Sequence, residues 1–142
     1  MIRQNIVFVE NKAGSLKKVT DLLKAESINI FAFACFDTPE FAIFRMVCNA
    51  PEKAERILNE KGYMNRITSV IVVNLKDEVG RLDELLGILA ERNVSLNYIY
   101  TSFHRESLTP VIILHSEDLF ATESILQGNG FSLLSRLEDF EK

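Results

Sequence analysis

The chain has 142 residues, 47% of them hydrophobic and 25% charged, and a formal net charge of −4. This is a globular composition, and with no lysine- or arginine-rich block the acidic balance lacks the footprint of a nucleic-acid binder. Two cysteines (Cys35 and Cys48) are too few for a disulfide scaffold, and the apolar runs are too short for a signal peptide or a membrane span, so a reduced, soluble, cytoplasmic protein without membrane or nucleic-acid partners is expected.

The first element is IVFVE at 6–10, a β-branched run that reads as a strand. The turn NKAGSL follows. After it, Leu16, Val19, Leu22 and Leu23 recur at i, i+3, i+6 and i+7, one face of an amphipathic helix. Two apolar runs come next, SINIFAFACF and FAIFRMVC, divided by Asp37-Thr38-Pro39-Glu40. Proline presets φ there and cannot serve a central ladder, so a hairpin turn is expected. A second helix starts near Pro51, with Glu52 suited to the positive end of its dipole. A short strand near Tyr63–Thr68 completes the series.

The order then repeats. Aligning Gly14 with Gly80 gives an offset of 80 − 14 = 66 that holds without gaps over about thirty residues. Strand SVIVVNL at 69–75 leads to the turn KDEVGRL and a helix whose Leu82, Leu85, Ile88 and Leu89 repeat the first apolar face. NVSLNYIYTSF and TPVIILHS form the second hairpin. EDLFATESILQGNG forms the second helix, stopped with the help of Gly128 and Gly130, and a closing strand is expected near Phe131–Arg136. Gly62 and Gly130 correspond at 130 − 62 = 68, which places two extra residues around His104–Thr109. The fold expected is therefore α+β: two ferredoxin-like βαββαβ modules side by side, 1–67 and 68–142, each an antiparallel sheet with helices on one face. Ile6–Val9, Ile71–Val73 and Val111–Leu114 are apolar on both faces, and the economical cover for a second face is a homodimer packed sheet to sheet.

Each glycine turn feeds a strand into a helix N-terminus, where open N–H groups and the dipole favour an anion and glycine lets a ligand approach the backbone. A small carboxylate fits. Asn11 and Asp77 stand where they could accept from an ammonium on the same ligand. A tight turn without a ligand would use glycine equally well, and Lys12 and Glu78 read by default as a solvated loop.

These turns and the later SINI and VSLN segments resemble two tandem ACT domains over about residues 3–136. The family turn is an acidic or amide residue, two variable positions and Gly-x-Leu, followed a helix later by Asn-Ile entering the second strand. Asn11, Gly14 and Leu16 match it in copy one, Asp77, Gly80 and Leu82 in copy two. Ala13 and Val79 stand where the family often has proline. Asn29 and Ile30 match the second motif; its counterpart in copy two is Ser95, with Asn97 two residues on. The resemblance implies a regulatory protein that binds an amino acid or similar small carboxylate effector between the glycine turn of one module and the second strand of a neighbour. The residues it implicates are Asn11, Lys12, Ala13, Gly14, Ser15, Leu16, Asn29 and Ile30 in copy one. In copy two they are Asp77, Glu78, Val79, Gly80, Arg81, Leu82, Ser95 and Asn97. It also implies a regulated enzyme or protein partner, with no enzyme attached to this chain; a ligand-free interaction subunit is the alternative.

Other chemistry finds little support. His104 and His115 are the only histidines, and with Cys48 they specify no complete metal site. Cys48 could line a pocket as a small apolar residue. Ser15 and Ser102 have no nominated base, and no phosphate loop or dinucleotide fingerprint occurs. No catalysis, metal or cofactor is expected. Phe31, Phe33, Tyr98 and Tyr100 are candidate pocket walls, with strand register deciding which of them point inward.

Overall fold

A computed structural model describes all residues, Met1–Lys142. In chain order the elements are β1 (Ile2–Glu10), α1 (Ser15–Ala25), β2 (Ile30–Asp37), β3 (Phe41–Cys48), α2 (Pro51–Glu60) and β4 (Asn65–Asn74). Then come α3 (Arg81–Glu91), β5 (Leu96–Phe103), β6 (Pro110–Ser116), α4 (Leu119–Gly128) and a 3-10 helix, Leu137–Glu141. The chain divides into two compact units, Arg3–Thr68 and Ser69–Lys142, the latter with Met1–Ile2.

In the first unit the strand order is β2-β3-β1-β4, antiparallel at β1–β3 and β2–β3. Alternate residues of β1 and β3 face one side: Val7 and Val9, and Ala42, Phe44, Met46 and Cys48. Val19 and Leu23 of α1 and Ala54, Ile57 and Leu58 of α2 pack onto that same side. Cys48 thus belongs to the core, not to a pocket wall. β1 begins four residues before the apolar run read from the sequence, because Asn5 is a buried strand residue whose amide donates to the Pro51 carbonyl at the start of α2 (3.0 Å). The hairpin turn at 38–40 is closed by the Thr38 hydroxyl, which donates to the Phe41 carbonyl (2.7 Å) and accepts from its N–H (3.2 Å).

The second unit has the order β4-β6-β5. Ile71 and Val73, Ile112 and Leu114 face Leu85 and Leu89 of α3 and Leu126 of α4. Two expectations need correction. The closing strand of copy one and the opening strand of copy two are one continuous strand, β4, since no glycine or proline interrupts the run from Asn65 to Asn74. And the closing strand of copy two shrinks to a single bridge, Val73 to Leu133, flanked by hydrogen bonds from Asn74 N to Ser132 O (2.8 Å) and Leu134 N to Val72 O (2.9 Å). Its sequence, FSLLSR, offers little β-branched content, and at Arg136 the chain turns into the 3-10 helix.

Ile6, Val7 and Val9, Ile71–Val73 and Val111–Leu114 are all buried within the single chain, so their apolarity does not require a dimer. What stays open is smaller. On the sheet face of the first unit away from α1 and α2, Phe36 is 51% and Phe41 36% exposed, beside half-buried Phe8 and Ile43.

Candidate functional site

The two glycine turns are built on one backbone circuit. In the first, Lys12 N donates to Glu10 O (3.0 Å), Ser15 N to Lys12 O (3.2 Å) and Lys18 N to Gly14 O (3.1 Å). In the second, Glu78 N donates to Lys76 O (2.9 Å), Arg81 N to Glu78 O (3.3 Å) and Glu84 N to Gly80 O (2.9 Å), the same three bonds 66 residues on (78 − 12). Gly14 and Gly80 sit in the left-handed region at φ 82° and 88°, and each is the N-cap of its helix with no side chain capping it. By contrast, Asp118 caps α4 by accepting from Ala121 N at 3.0 Å. The open amides at α1 and α3 follow from the sequence: a glycine cap has no oxygen to offer.

Around this shared backbone the side chains diverge. In the first turn Asn11 donates to the Thr38 carbonyl (3.4 Å), tying the turn to the β2–β3 hairpin. Lys12 pairs with Glu10 at 2.7 Å; that hydrogen bond holds the Glu10 carboxyl below the usual carboxylate range and the Lys12 ammonium above its own. Ala13 is exposed, Ser15 is buried, and Leu16 packs against the core. In the second turn Asp77, Glu78 and Val79 are exposed, and Leu82 projects outward where Leu16 is tucked in. Arg81 pairs with Glu84 at 2.5 Å and lies over the Phe131 ring, 5.6 Å from its centroid.

A cleft of about 430 Å3 opens beside the first turn, lined by Glu10, Lys12, Ser15 and Lys18 and, across it, by Lys61 and Tyr63. Nothing local in the sequence marks this cleft. Lys18, Lys61 and Tyr63 lie on different elements, and no local pattern joins them.

The second-strand residues sit elsewhere. Asn29 and Ile30 border a shallow groove with Thr20, Leu23 and Lys24 at the far end of α1. Eleven helical residues separate them from Gly14, about 16 Å, so within the unit the turn and Asn29 do not form one pocket. Asn29 is locked by its backbone: its N–H donates to Asn49 Oδ1 and its carbonyl accepts from Asn49 N, both at 3.0 Å. Ser95 borders a separate cleft of about 310 Å3 with Arg92, Asp118 and Thr122. Asn97 Oδ1 meets His115 Nδ1 at 2.8 Å, and the His115 ring stacks on Tyr98 at 5.1 Å. Among the candidate walls, Phe31 is buried; Phe33 pairs with Met46, on the side that carries the helices, yet stays exposed; Tyr98 and Tyr100 pair with His115 and Ile113, on the face away from α3 and α4. No group of three or more His, Cys, Asp or Glu side chains gathers into a metal-ligating cluster, and no helix is long and apolar enough to cross a membrane.

A duplicated βαββαβ chain with paired, uncapped Gly-x-Leu turns narrows the relatives sharply, and a family model described as an ACT domain pair matches residues 1–130. The chain belongs to the ACT domain pair family. Among solved structures, the ACT pair resembles protein BT0572 from Bacteroides thetaiotaomicron with a TM-score of 0.89 and 26% identity, over 99% of this chain and 96% of that one. The ligand-free regulatory subunit of aspartate kinase from Thermus thermophilus aligns at TM-score 0.62 and 13% identity, over 90% of this chain and 91% of that one. The corresponding subunit from Thermus flavus gives 0.58 and 15%, over 90% and 92%. At such identities the two kinase subunits share the fold alone. No curated protein matches in sequence. The ACT pair is a regulatory, ligand-binding fold.

Proposed function

We propose that this ACT pair is a non-catalytic regulatory protein that binds a free amino acid or similar small carboxylate, with the Asn11–Leu16 turn as its main site. The observation that carries the reading is the uncapped helix N-terminus at Gly14, which opens beside a cleft large enough for a small ligand. Binding orders the turn and shifts a conformational equilibrium read by a partner protein, which requires that the ligand prefer one state. The Asp77–Leu82 turn offers the same backbone, but Arg81 is already engaged there by Glu84 and Phe131.

Thermal-shift measurements against the twenty amino acids test this. At least one is expected to raise the midpoint with an affinity of about 10 μM to 1 mM, or roughly −7 to −4 kcal/mol. Gly14→Ala is expected to weaken that response, and Asn29→Ala to leave it in place, since Asn29 stands at the other end of α1. No shift with any amino acid at millimolar concentration would sink the sensing role. The ligand-free interaction subunit then takes over, and the exposed Phe36 and Phe41 favour it as a second reading.

A further inference from the structure

The cleft beside Gly14 differs from the surface around the second turn in one chemical respect, its charge. Three lysines line it, Lys12 on the turn, Lys18 on the first turns of α1 and Lys61 at the end of α2, against a single acidic residue, Glu10. Glu10 is already taken by Lys12 at 2.7 Å. Lys18 adds to the field that lowers the Glu10 carboxyl but reaches no carboxylate as a salt bridge, and neither does Lys61. Like charges converging on one concave site repel each other unless an anion joins them, and an acidic protein offers no general reason to gather them there.

A second, independent feature points into the same cleft. Ser15 lines it and is only 8% exposed, yet its hydroxyl has no hydrogen-bond partner. A hydroxyl carries one donor and two acceptor positions, and on a residue otherwise buried this one faces the cleft, where they are open to a ligand. Here the vacant hydroxyl sits on the first residue of α1, next to the open amides behind Gly14.

The duplicated copy serves as an internal control, since its turn keeps the backbone and loses this chemistry. At the aligned positions Glu10 becomes Lys76, Lys12 becomes Glu78, Ser15 becomes Arg81, Lys18 becomes Glu84 and Lys61 becomes Asn129. The positive excess disappears and the free hydroxyl is replaced by a guanidinium bound to Glu84. Backbone geometry shared by both copies cannot be the reason for the lysines of the first.

We propose that the cleft at the Gly14 turn binds a dicarboxylate, in particular an acidic amino acid. One carboxylate is received by the Ser15 hydroxyl and the open amides of α1, and the second by the ammonium groups of Lys18 and Lys61. Glu10 Oε1, which the pair through Oε2 to Lys12 leaves open, accepts from the ligand's ammonium, a group its non-amino analogues lack. Charge-assisted hydrogen bonds at both ends give the site its selectivity over neutral amino acids. This inference rests on the reading that the effector sits at the first glycine turn, and it adds the class of effector.

Titration calorimetry on the full chain at low ionic strength tests it, with L-aspartate, L-glutamate and succinate against L-alanine, L-lysine and inorganic phosphate. The acidic ligands are expected to bind at least tenfold more tightly than alanine or lysine, and their affinity to fall as salt is added. Lys18→Gln and Lys61→Gln, both on exposed side chains, are each expected to weaken the acidic ligands about tenfold, and Ser15→Ala to do so with the melting temperature of the free protein retained. Tight binding of a neutral or basic amino acid, with the lysine variants unchanged, overturns the dicarboxylate inference and leaves amino-acid sensing standing. Phosphate binding with the diacids silent overturns it as well. Silence from every amino acid and diacid removes both readings together.

Discussion

Gly14 and Gly80 hold φ values of 82° and 88°, yet a Cβ built on either would meet no atom within 4 Å. Any cost of adding a side chain is therefore backbone strain and nothing else. For an L-residue the left-handed region costs roughly 1–2 kcal/mol, less for asparagine. Gly14→Ala and Gly80→Ala are each expected to lower the unfolding free energy by about 1–2 kcal/mol with an unchanged denaturant slope, and Gly14→Asn by less. Equal, negligible losses in all three would mean that the turn relaxes to another conformation, and the shared circuit of three backbone bonds would then not be a fixed scaffold for a ligand. The glycines were legible in the sequence because their requirement is local. The residues that give the first cleft its charge were not, since Lys61 follows Gly14 by two helices and a strand pair, and the open Ser15 hydroxyl is a property of packing.

At the scale of elements, period and punctuation located all four helices and both hairpins, and they failed where tertiary contact overrode composition. Asn5 lengthens β1 because Pro51 receives its amide. His104 reads as a loop histidine, but it is buried, with Nδ1 2.9 Å from the Asp139 carbonyl and Nε2 2.6 Å from Asn74 Oδ1. Those partners stand 35 and 30 residues away, beyond any local pattern. They hold the C-terminal 3-10 helix that follows the bridge at Leu133, together with bonds from Arg105 N to Phe140 O and Ser107 N to Lys142 O, both 2.8 Å. The Asp139 carboxylate completes the element: it accepts from Ser135 N (3.3 Å) and Arg136 N (3.1 Å) and pairs with Lys142 (2.9 Å). The Lys142 hydrogen bond, aided by those amides, holds its pKa below the usual value. A carboxyl depressed in the folded state contributes stability that is fully present above its unfolded pKa and is lost as pH falls through the folded one. Hydrogen exchange at the Arg105 and Ser107 amides is expected to stay slow down to the ordinary carboxylate range and to accelerate below it. Asp139→Asn, which keeps the shape and removes the charge, is expected to speed that exchange at neutral pH and to flatten its acid dependence. An unchanged acid profile in the variant would assign the protection to His104 and the backbone bonds instead.

For the molecule as a whole, the question is what covers the apolar surface that folding leaves. Most of the two-sided apolar character of the central strands is already buried in one chain, so it gives no argument for assembly. Phe36 and Phe41 do. Register puts both on the open face of the first unit's sheet: Phe36 stands opposite Ile43, which stands opposite Phe8, and the Phe8 and Phe41 rings meet edge to face at 5.6 Å. Singly exposed aromatics are ordinary, but a contiguous aromatic group on a sheet face is the kind of patch that marks an interface. Two copies meeting face to face through this patch would remove four aromatic rings from water. At about 25 cal/mol per Å2 of apolar area that burial favours association, against the cost of lost translational and rotational freedom. Sedimentation velocity is expected to show a concentration-dependent dimer, and Phe36→Ser with Phe41→Ser to give a monomer whose circular dichroism and effector binding match the parent. Retention of effector binding in that monomer is the informative part, because it would separate the turn site from assembly. A parent protein that sediments as a monomer at high micromolar concentration removes the dimer and leaves the aromatic patch to a different protein partner.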